Sequence, residues 1–240
     1  MSFRQCLSLA LLALSPLTSF AQGPNLITNG DFELWGLTGS SKFSNSDPVG
    51  GGQLTGWTTE SLAFVMVPGD PIADSGSQTF SLHGPPPLSP VGGNYVASDG
   101  DRNLGAPITQ TVSGLFPGTE YEVSFDWAAA QQTGFTGETT HAWEVYLTDS
   151  SNVQIKNFNT GFITNPSEAF QPWRPASFTF TATQSSHLLT FFADGGPAGL
   201  PPFALLDNVS LVAVPESSTL VALFTCVGLA TLRRRRLVTR

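Results

Sequence analysis

The side chains best equipped for covalent chemistry are dispersed along this chain. His83, His141 and His187 are its three histidines, and no two of them stand at a metal-ligand spacing. There is no Gly-x-Ser-x-Gly elbow, no His-Glu-x-x-His segment and no glycine loop of the kind that cradles phosphate. His83, within Leu82-His83-Gly84-Pro85, reads as a loop residue rather than a base. Asp99-Gly100-Asp101 is an acidic turn without the ligand spacing of an EF-hand, and reads as solvated. Carboxylates are plentiful enough that a glycosidase pair drawn from distant parts of the chain stays open.

A second chemistry is better represented. Tyr146, with Glu144 and Asp126 at outward positions of alternating segments, makes an aromatic ring flanked by carboxylates, and Trp173 adds a further ring from a loop. Such a ring can lie against an apolar ligand face while carboxylates accept hydrogen bonds from hydroxyls. For Tyr146 and Trp173 both recognition and plain packing are open. Trp57, Trp127 and Trp143 fall on the inward phase of their segments and read as core.

The elements that must position these residues are strands. Tyr121, Val123, Phe125 and Trp127 alternate with Glu120, Glu122, Ser124 and Asp126, the period of a strand with one face in a core. Residues 141–148 repeat the pattern with Trp143, Val145 and Leu147 inward, and 177–182 repeat it with Phe178, Phe180 and Ala182. Further strands are expected at 54–58, 61–67, 78–82, 94–98, 108–112, 153–157, 188–193 and 205–212. Pro117-Gly118 supplies a tight turn into the first of these segments. Pro68 to Ser77 and Gly84 to Gly93 read as long loops rather than linkers. With no alternating helices between residues 22 and 214, the expected fold is all-β, an antiparallel two-sheet jelly-roll sandwich.

Composition agrees. With 24 glycines, 18 prolines and only 12% charged residues the chain is unsuited to a helical bundle, and 40% hydrophobic residues can fill a core. Residues 22–214 hold four basic against seventeen acidic side chains, a net of −13. A body this acidic repels phosphate backbones and excludes nucleic acid as a partner. The two cysteines, Cys6 and Cys226, lie outside that body, so its stability rests on the core alone.

Both ends carry membrane signals. Arg4, an apolar run from Cys6 to Leu14 and Ser19-Phe20-Ala21 have the order of a secretory signal peptide over 1–21, cut by signal peptidase before Gln22. Ser217 to Leu232 is uncharged and is followed by Arg233, Arg234, Arg235 and Arg236. A helix of that length covers about 24 Å, a little short of the roughly 30 Å hydrocarbon core, and snorkelling arginines make up the difference. The arginines belong on the cytoplasmic side, which places the body across the membrane.

Val214-Pro215-Glu216-Ser217, an apolar helix and the arginine block resemble the PEP-CTERM tail of exported proteins from Gram-negative bacteria that make exopolysaccharide. The resemblance covers 215–240, with the motif at 215–217, a transmembrane helix at 217–232 and a basic end at 233–240. It implies processing by exosortase and release to the cell surface or the extracellular matrix, the helix being a temporary inner-membrane anchor. The chain departs from the family at Ser217, where a second proline stands.

The body resembles galactose-binding-like jelly rolls, a group that includes non-catalytic carbohydrate-binding modules. The likeness rests on Asn25-Leu26-Ile27-Thr28-Asn29-Gly30-Asp31-Phe32-Glu33, Gly56-Trp57-Thr58, Ile108 to Val112, Gly118 to Tyr121, Phe178 to Ala182, and Leu206-Asp207-Asn208-Val209-Ser210-Leu211. It implies a structural calcium ion between the first and last strands, with Glu33 and Asp207 at the matching positions. The alternative is that these carboxylates only accept backbone N–H groups at strand ends. The expectation is an exported, non-enzymatic surface or matrix protein that associates with polysaccharide. The competing expectations are a ligand-free envelope protein and, behind it, a polysaccharide-active hydrolase.

Overall fold

The computed structural model describes residues 23–43, 52–59, 62–74, 78–84, 88–105 and 107–215. The expected signal peptide lies outside these residues, as do Glu216, Ser217, Arg233, Arg234, Arg235 and Arg236 of the tail.

In chain order the strands are β1 (Ser41–Lys42), β2 (Ala63–Met66), β3 (Ile72–Asp74), β4 (Thr79–Ser81), β5 (Tyr95–Asp99), β6 (Ile108–Ser113) and β7 (Glu120–Gln131). They continue with β8 (Thr139–Thr148), β9 (Gln154–Asn159), β10 (Ile163–Asn165), β11 (Phe170–Thr181), β12 (Ser186–Gly196) and β13 (Pro202–Ala213). The larger sheet runs β11-β7-β13-β5-β2-β1-β3-β4, and the smaller runs β10-β8-β12-β6 with β9 also paired to β8. The chain crosses repeatedly from one sheet to the other, giving an all-β jelly-roll sandwich. Among the described residues the strand pairs are antiparallel except β1 with β3, so the larger sheet is mixed.

The main core follows from side-chain alternation. Tyr121, Val123, Phe125 and Trp127 of β7 face Trp143, Val145 and Leu147 of β8 and Leu189, Phe191 and Ala193 of β12. Phe191 is the hub, with its ring centroid 6.1 Å from Trp57, 5.1 Å from Phe125 and 5.9 Å from Trp143. The Trp143 indole donates to the Leu205 carbonyl at 3.1 Å, which satisfies its one polar atom inside the core.

A second apolar layer lies on the other face of the larger sheet. In register with one another, Trp127, Leu206, Val96 and Val65 point into the sandwich, while Ala128, Leu205, Ala97 and Phe64 point away from it. That outward row is nevertheless buried, because Phe80 of β4 stacks on Phe64 at 4.2 Å and reaches Phe203 at 4.3 Å. Leu82 then bridges to Gln132 beyond the end of β7. The second half of β7 therefore loses the alternation of its first half, and both of its faces are covered.

Candidate functional site

The outer face of the smaller sheet is built by two long neighbouring strands. Because Trp143, Val145 and Leu147 face inward, Glu144 and Tyr146 face outward, and the same logic turns Thr190, Phe192 and Asp194 outward from β12. Pairing sets Tyr146 directly opposite Thr190 and Glu144 directly opposite Phe192. On the far side of β8 the edge strand β9 adds Asn157 beside Tyr146 and Asn159 beside Glu144. The result is a half-buried phenol ringed by hydroxyl, amide and carboxylate groups. Burial, and then the charge of Glu144, push the Tyr146 phenol above its ordinary range, and a hydrogen bond with the Thr190 side chain works the other way.

Arg102 closes this face at one end. Its Nε donates to Asp194 Oδ1 at 2.9 Å, and its Nη2 donates both to Asp194 Oδ2 at 2.5 Å and to Glu144 Oε2 at 3.2 Å. The same guanidinium sits 5.5 Å from the centre of the Phe192 ring. The hydrogen bond to Asp194 is the main reason that Arg102 holds its proton more tightly than usual.

The loop that presents Arg102 is organised by the acidic turn, which is not solvated as the sequence suggested. Asp99 and Asp101 are both buried. Asp101 Oδ1 accepts the Asn103 backbone and side-chain N–H groups, each at 2.9 Å, and the Asp101 carbonyl accepts Leu104 and Gly105. Asp99 Oδ1 accepts the Asp101 N–H at 2.8 Å. Burial raises the Asp99 carboxyl to about 6, against the pull of that N–H and with a smaller push from the Asp101 charge. Gly105 packs against the Asp99 carbonyl, where a side chain would collide with backbone.

The residues grouped from sequence divide between two faces. Tyr146 and Glu144 share the outer face of the smaller sheet, but Asp126 does not join them, because β7 belongs to the larger sheet. Asp126 Oδ2 accepts Asn208 Nδ2 at 2.9 Å in a groove of about 370 Å³ with Glu122, Ser124, Pro175 and Ser177. Trp173 is in edge strand β11 rather than a loop, and meets Tyr95 edge-on at 5.5 Å beside the second apolar layer. Near Tyr95 lies an apolar cleft of about 310 Å³ lined by Met66, Pro68, Pro71, Leu82 and Leu88. Sequence reasoning missed Arg102, Thr190, Phe192 and Asp194. The outward phase of 188–193 held Thr190 and Phe192 in principle, with Asp194 one residue beyond it, but their pairing with β8 joins distant parts of the chain and leaves no local signature.

Glu33 and Asp207 both lie near the seam between the ends of the fold, close enough for the charge of Glu33 to act on Asp207. Leu26 N–H donates to the Leu211 carbonyl, and Val209 N–H donates to the Gly30 carbonyl, both at 2.9 Å. Asp207 is fully buried at a bulge of β13, with Oδ2 accepting Ser89 Oγ and Oδ1 accepting Asn208 N–H at 2.7 Å. Glu33 Oε1 accepts Asn94 N–H at 2.6 Å. Burial is the main reason that the Asp207 carboxyl rises to about 7, with the charges of Glu33 and Asp126 adding to it. Calcium demands six or more converging oxygens. The carboxylate oxygens named above are turned to N–H and O–H donors, and among the described residues no three His, Cys, Asp or Glu side chains form a ligand set. Glu33 accepts a backbone N–H as the alternative expected, whereas Asp207 lies within β13 rather than at its end and accepts the Ser89 hydroxyl as well as a backbone N–H.

No protein-family model matches this chain, and no curated protein matches it. Solved structures similar to it include TmCBM61 in complex with β-1,4-galactotriose, at 13% identity and a TM-score of 0.45, covering 80% of this chain and 99% of that one. The CBM22-1 xylan-binding domain of Paenibacillus barcinonensis Xyn10C has 12% identity and a TM-score of 0.42, over 81% and 97%. The arabinose-bound MgGH51 α-L-arabinofuranosidase has 15% identity and a TM-score of 0.46, over 82% of this chain. This chain spans 27% of that enzyme's length. Likeness at this level transfers no residue role.

Proposed function

We propose that the protein is an exported, non-catalytic glycan-binding module whose binding surface is the outer face of the smaller sheet. The observation that carries this reading is the half-buried Tyr146 ring beside Glu144 of β8 and Asn157 of β9, with Asp194 further along β12. The ring offers a surface to the apolar face of a pyranose, and the fixed carboxylates accept its hydroxyls. Catalysis draws less support from the same groups. Glu144 and Asp194 are both committed to Arg102, whereas a glycosidase needs one carboxyl that presents a proton to the leaving group.

The direct test is migration of the full-length chain through native gels cast with galactan, glucan, mannan or xylan. Retardation by at least one polymer, abolished by Tyr146→Ala, is the expected result. Equal retardation of both proteins removes this face as the site, and no retardation by any polymer turns the balance to a ligand-free envelope role.

Export follows from the ends of the chain. In this proposal signal peptidase cuts after Ala21, and the 217–232 helix holds the protein in the inner membrane until exosortase acts at Pro215-Glu216-Ser217. The mature body then reaches the cell surface or an exopolysaccharide matrix. In support, Val214 N–H still donates to the Glu120 carbonyl at 2.9 Å while Pro215 is exposed, so the motif starts where the sheet stops. Mass spectrometry of the exported protein checks both cuts, with an amino terminus at Gln22 and a carboxyl terminus near Pro215 expected. An intact chain would remove the processing scheme.

A further inference from the structure

The same face also carries information about the charge of its ligand. Of the four basic residues between positions 22 and 214, Lys42 and Arg174 belong to β1 and β11 of the larger sheet. Lys156 alternates with Asn157 along β9 and stands opposite inward-facing Leu147, on the other side of that strand from Tyr146. Arg102 is therefore the cation of this face, and its Nε and Nη2 are taken by Asp194 and Glu144. Two carboxylates against one guanidinium leave the platform net negative, within a body that is itself acidic.

We infer that this platform accepts neutral hexopyranose polymers and rejects the corresponding polyuronates, with Glu144 and Asp194 as the discriminating groups; the inference rests on the glycan-binding reading above. The carboxylate oxygens are acceptors with no hydrogen to give, so they match sugar hydroxyls, which donate. A uronate carboxylate brings a second acceptor and a like charge to the same place. Like charges across an interface suppress a wrong partner more effectively than matched charges strengthen a right one. Arg102 meets a uronate with its Nε and Nη2 already given to Asp194 and Glu144, so its single charge is shared with two carboxylates before the ligand arrives.

The test compares galactan, glucan and mannan with the same polymers oxidised at C6 to the uronate, in native gels run with a chelator so that no divalent cation bridges carboxylates. For whichever neutral polymer retards the full-length chain, its oxidised form should bind at least about tenfold more weakly, a difference that like-charge repulsion readily supplies. In the Glu144→Gln/Asp194→Asn protein, where Arg102 loses both ionic partners, the gap should narrow through a gain of uronate binding that weakens with added salt. Equal or stronger retardation of the native chain by the oxidised polymer overturns the inference while leaving glycan binding in place. An unchanged gap in the double variant overturns the assignment to these two residues. Retardation by no polymer of either kind defeats the glycan reading itself, and the inference with it.

Discussion

The guanidinium of Arg102 holds Asp194 through two donors across 92 residues of sequence, fastening the loop after β5 to the end of β12 in the opposite sheet. The same group bonds Glu144 and covers Phe192, so one side chain organises one end of the platform.

Removal of that side chain separates stability from recognition. The Arg102 side chain is 55% exposed, and ion pairs this wet contribute only about 0–1 kcal/mol. Arg102→Ala should therefore unfold in urea within about 1 kcal/mol of the native protein. Its retardation by the cognate polysaccharide should nevertheless weaken, because Glu144 and Asp194 lose their fixed orientation. A large loss of stability with unchanged binding contradicts the positioning role.

The main core is most sensitive at its aromatic hub. Phe191 is fully buried and touches Trp57, Phe125 and Trp143, three rings that cannot all move into the space it occupies. Phe191→Ala should cost about 3–5 kcal/mol in urea unfolding. A cost below about 1 kcal/mol would mean that the two sheets close around the cavity.

His141 gives the fold a pH dependence of known sign. Burial lowers its imidazole from 6.5 to about 4, and the Phe203 backbone opposes this only in part. The unfolded chain takes up a proton as pH falls through 6.5 while the folded chain resists until about 4. This contribution to stability is thus present above 6.5 and is lost on acidification toward 4. Asp99 runs the opposite way: its carboxyl is raised to about 6, so its contribution is present below 3.8 and is lost as pH rises through 6. The difference between the native protein and His141→Gln isolates the histidine. It should change by up to about 3 kcal/mol between pH 7 and pH 4, read from urea curves at each pH. A difference that does not vary with pH contradicts a buried neutral imidazole.

The segment from Leu26 to Gly30 is joined to β13 by backbone hydrogen bonds. A methyl group at Gly30 would run into the Val209 carbonyl, whose own N–H donates to Gly30. Gly30→Ala should lower the melting temperature by several degrees, in line with a loss of about 1–3 kcal/mol. Neither calcium nor a chelator should move the melting temperature of the native protein, since only a ligand that binds the folded state shifts it. A calcium-dependent rise would restore the ion implied by the galactose-binding-like resemblance.

Strands with one wet face were legible from sequence, and those with two covered faces were not. The alternation in 120–127 and 141–148 places Trp127, Trp143 and their neighbours on the core side, where they lie. Past Trp127 the pattern fails, because Ala128 and Ala130 are covered by Phe64, Phe80 and Phe203 from distant parts of the chain. Pro172 and Pro175 conceal the first half of β11, whose second half was expected at 177–182, since an edge tolerates proline and a central strand does not. That concealment is why Trp173 reads as a loop residue. β3, within the stretch read as a loop from Pro68 to Ser77, and β10 have three residues each, too short for any period to register. Residues 54–58 form isolated bridges at Leu54 and Thr58 rather than a strand. The site was half legible for the same reason: Tyr146 and Glu144 share one strand, whereas Asp126 and Arg102 are assigned to a face only by long-range pairing.

The two ends of the fold also leave from one pole. Gly23 lies against Ala213, and β13 finishes beside the start of β7, while the Arg102 loop is joined to Gly195 and Pro202 at the far extremity of the long strands. A body moored by either end would stand like a mast, its guanidinium at the masthead and its aromatic flank turned sideways to whatever drifts past.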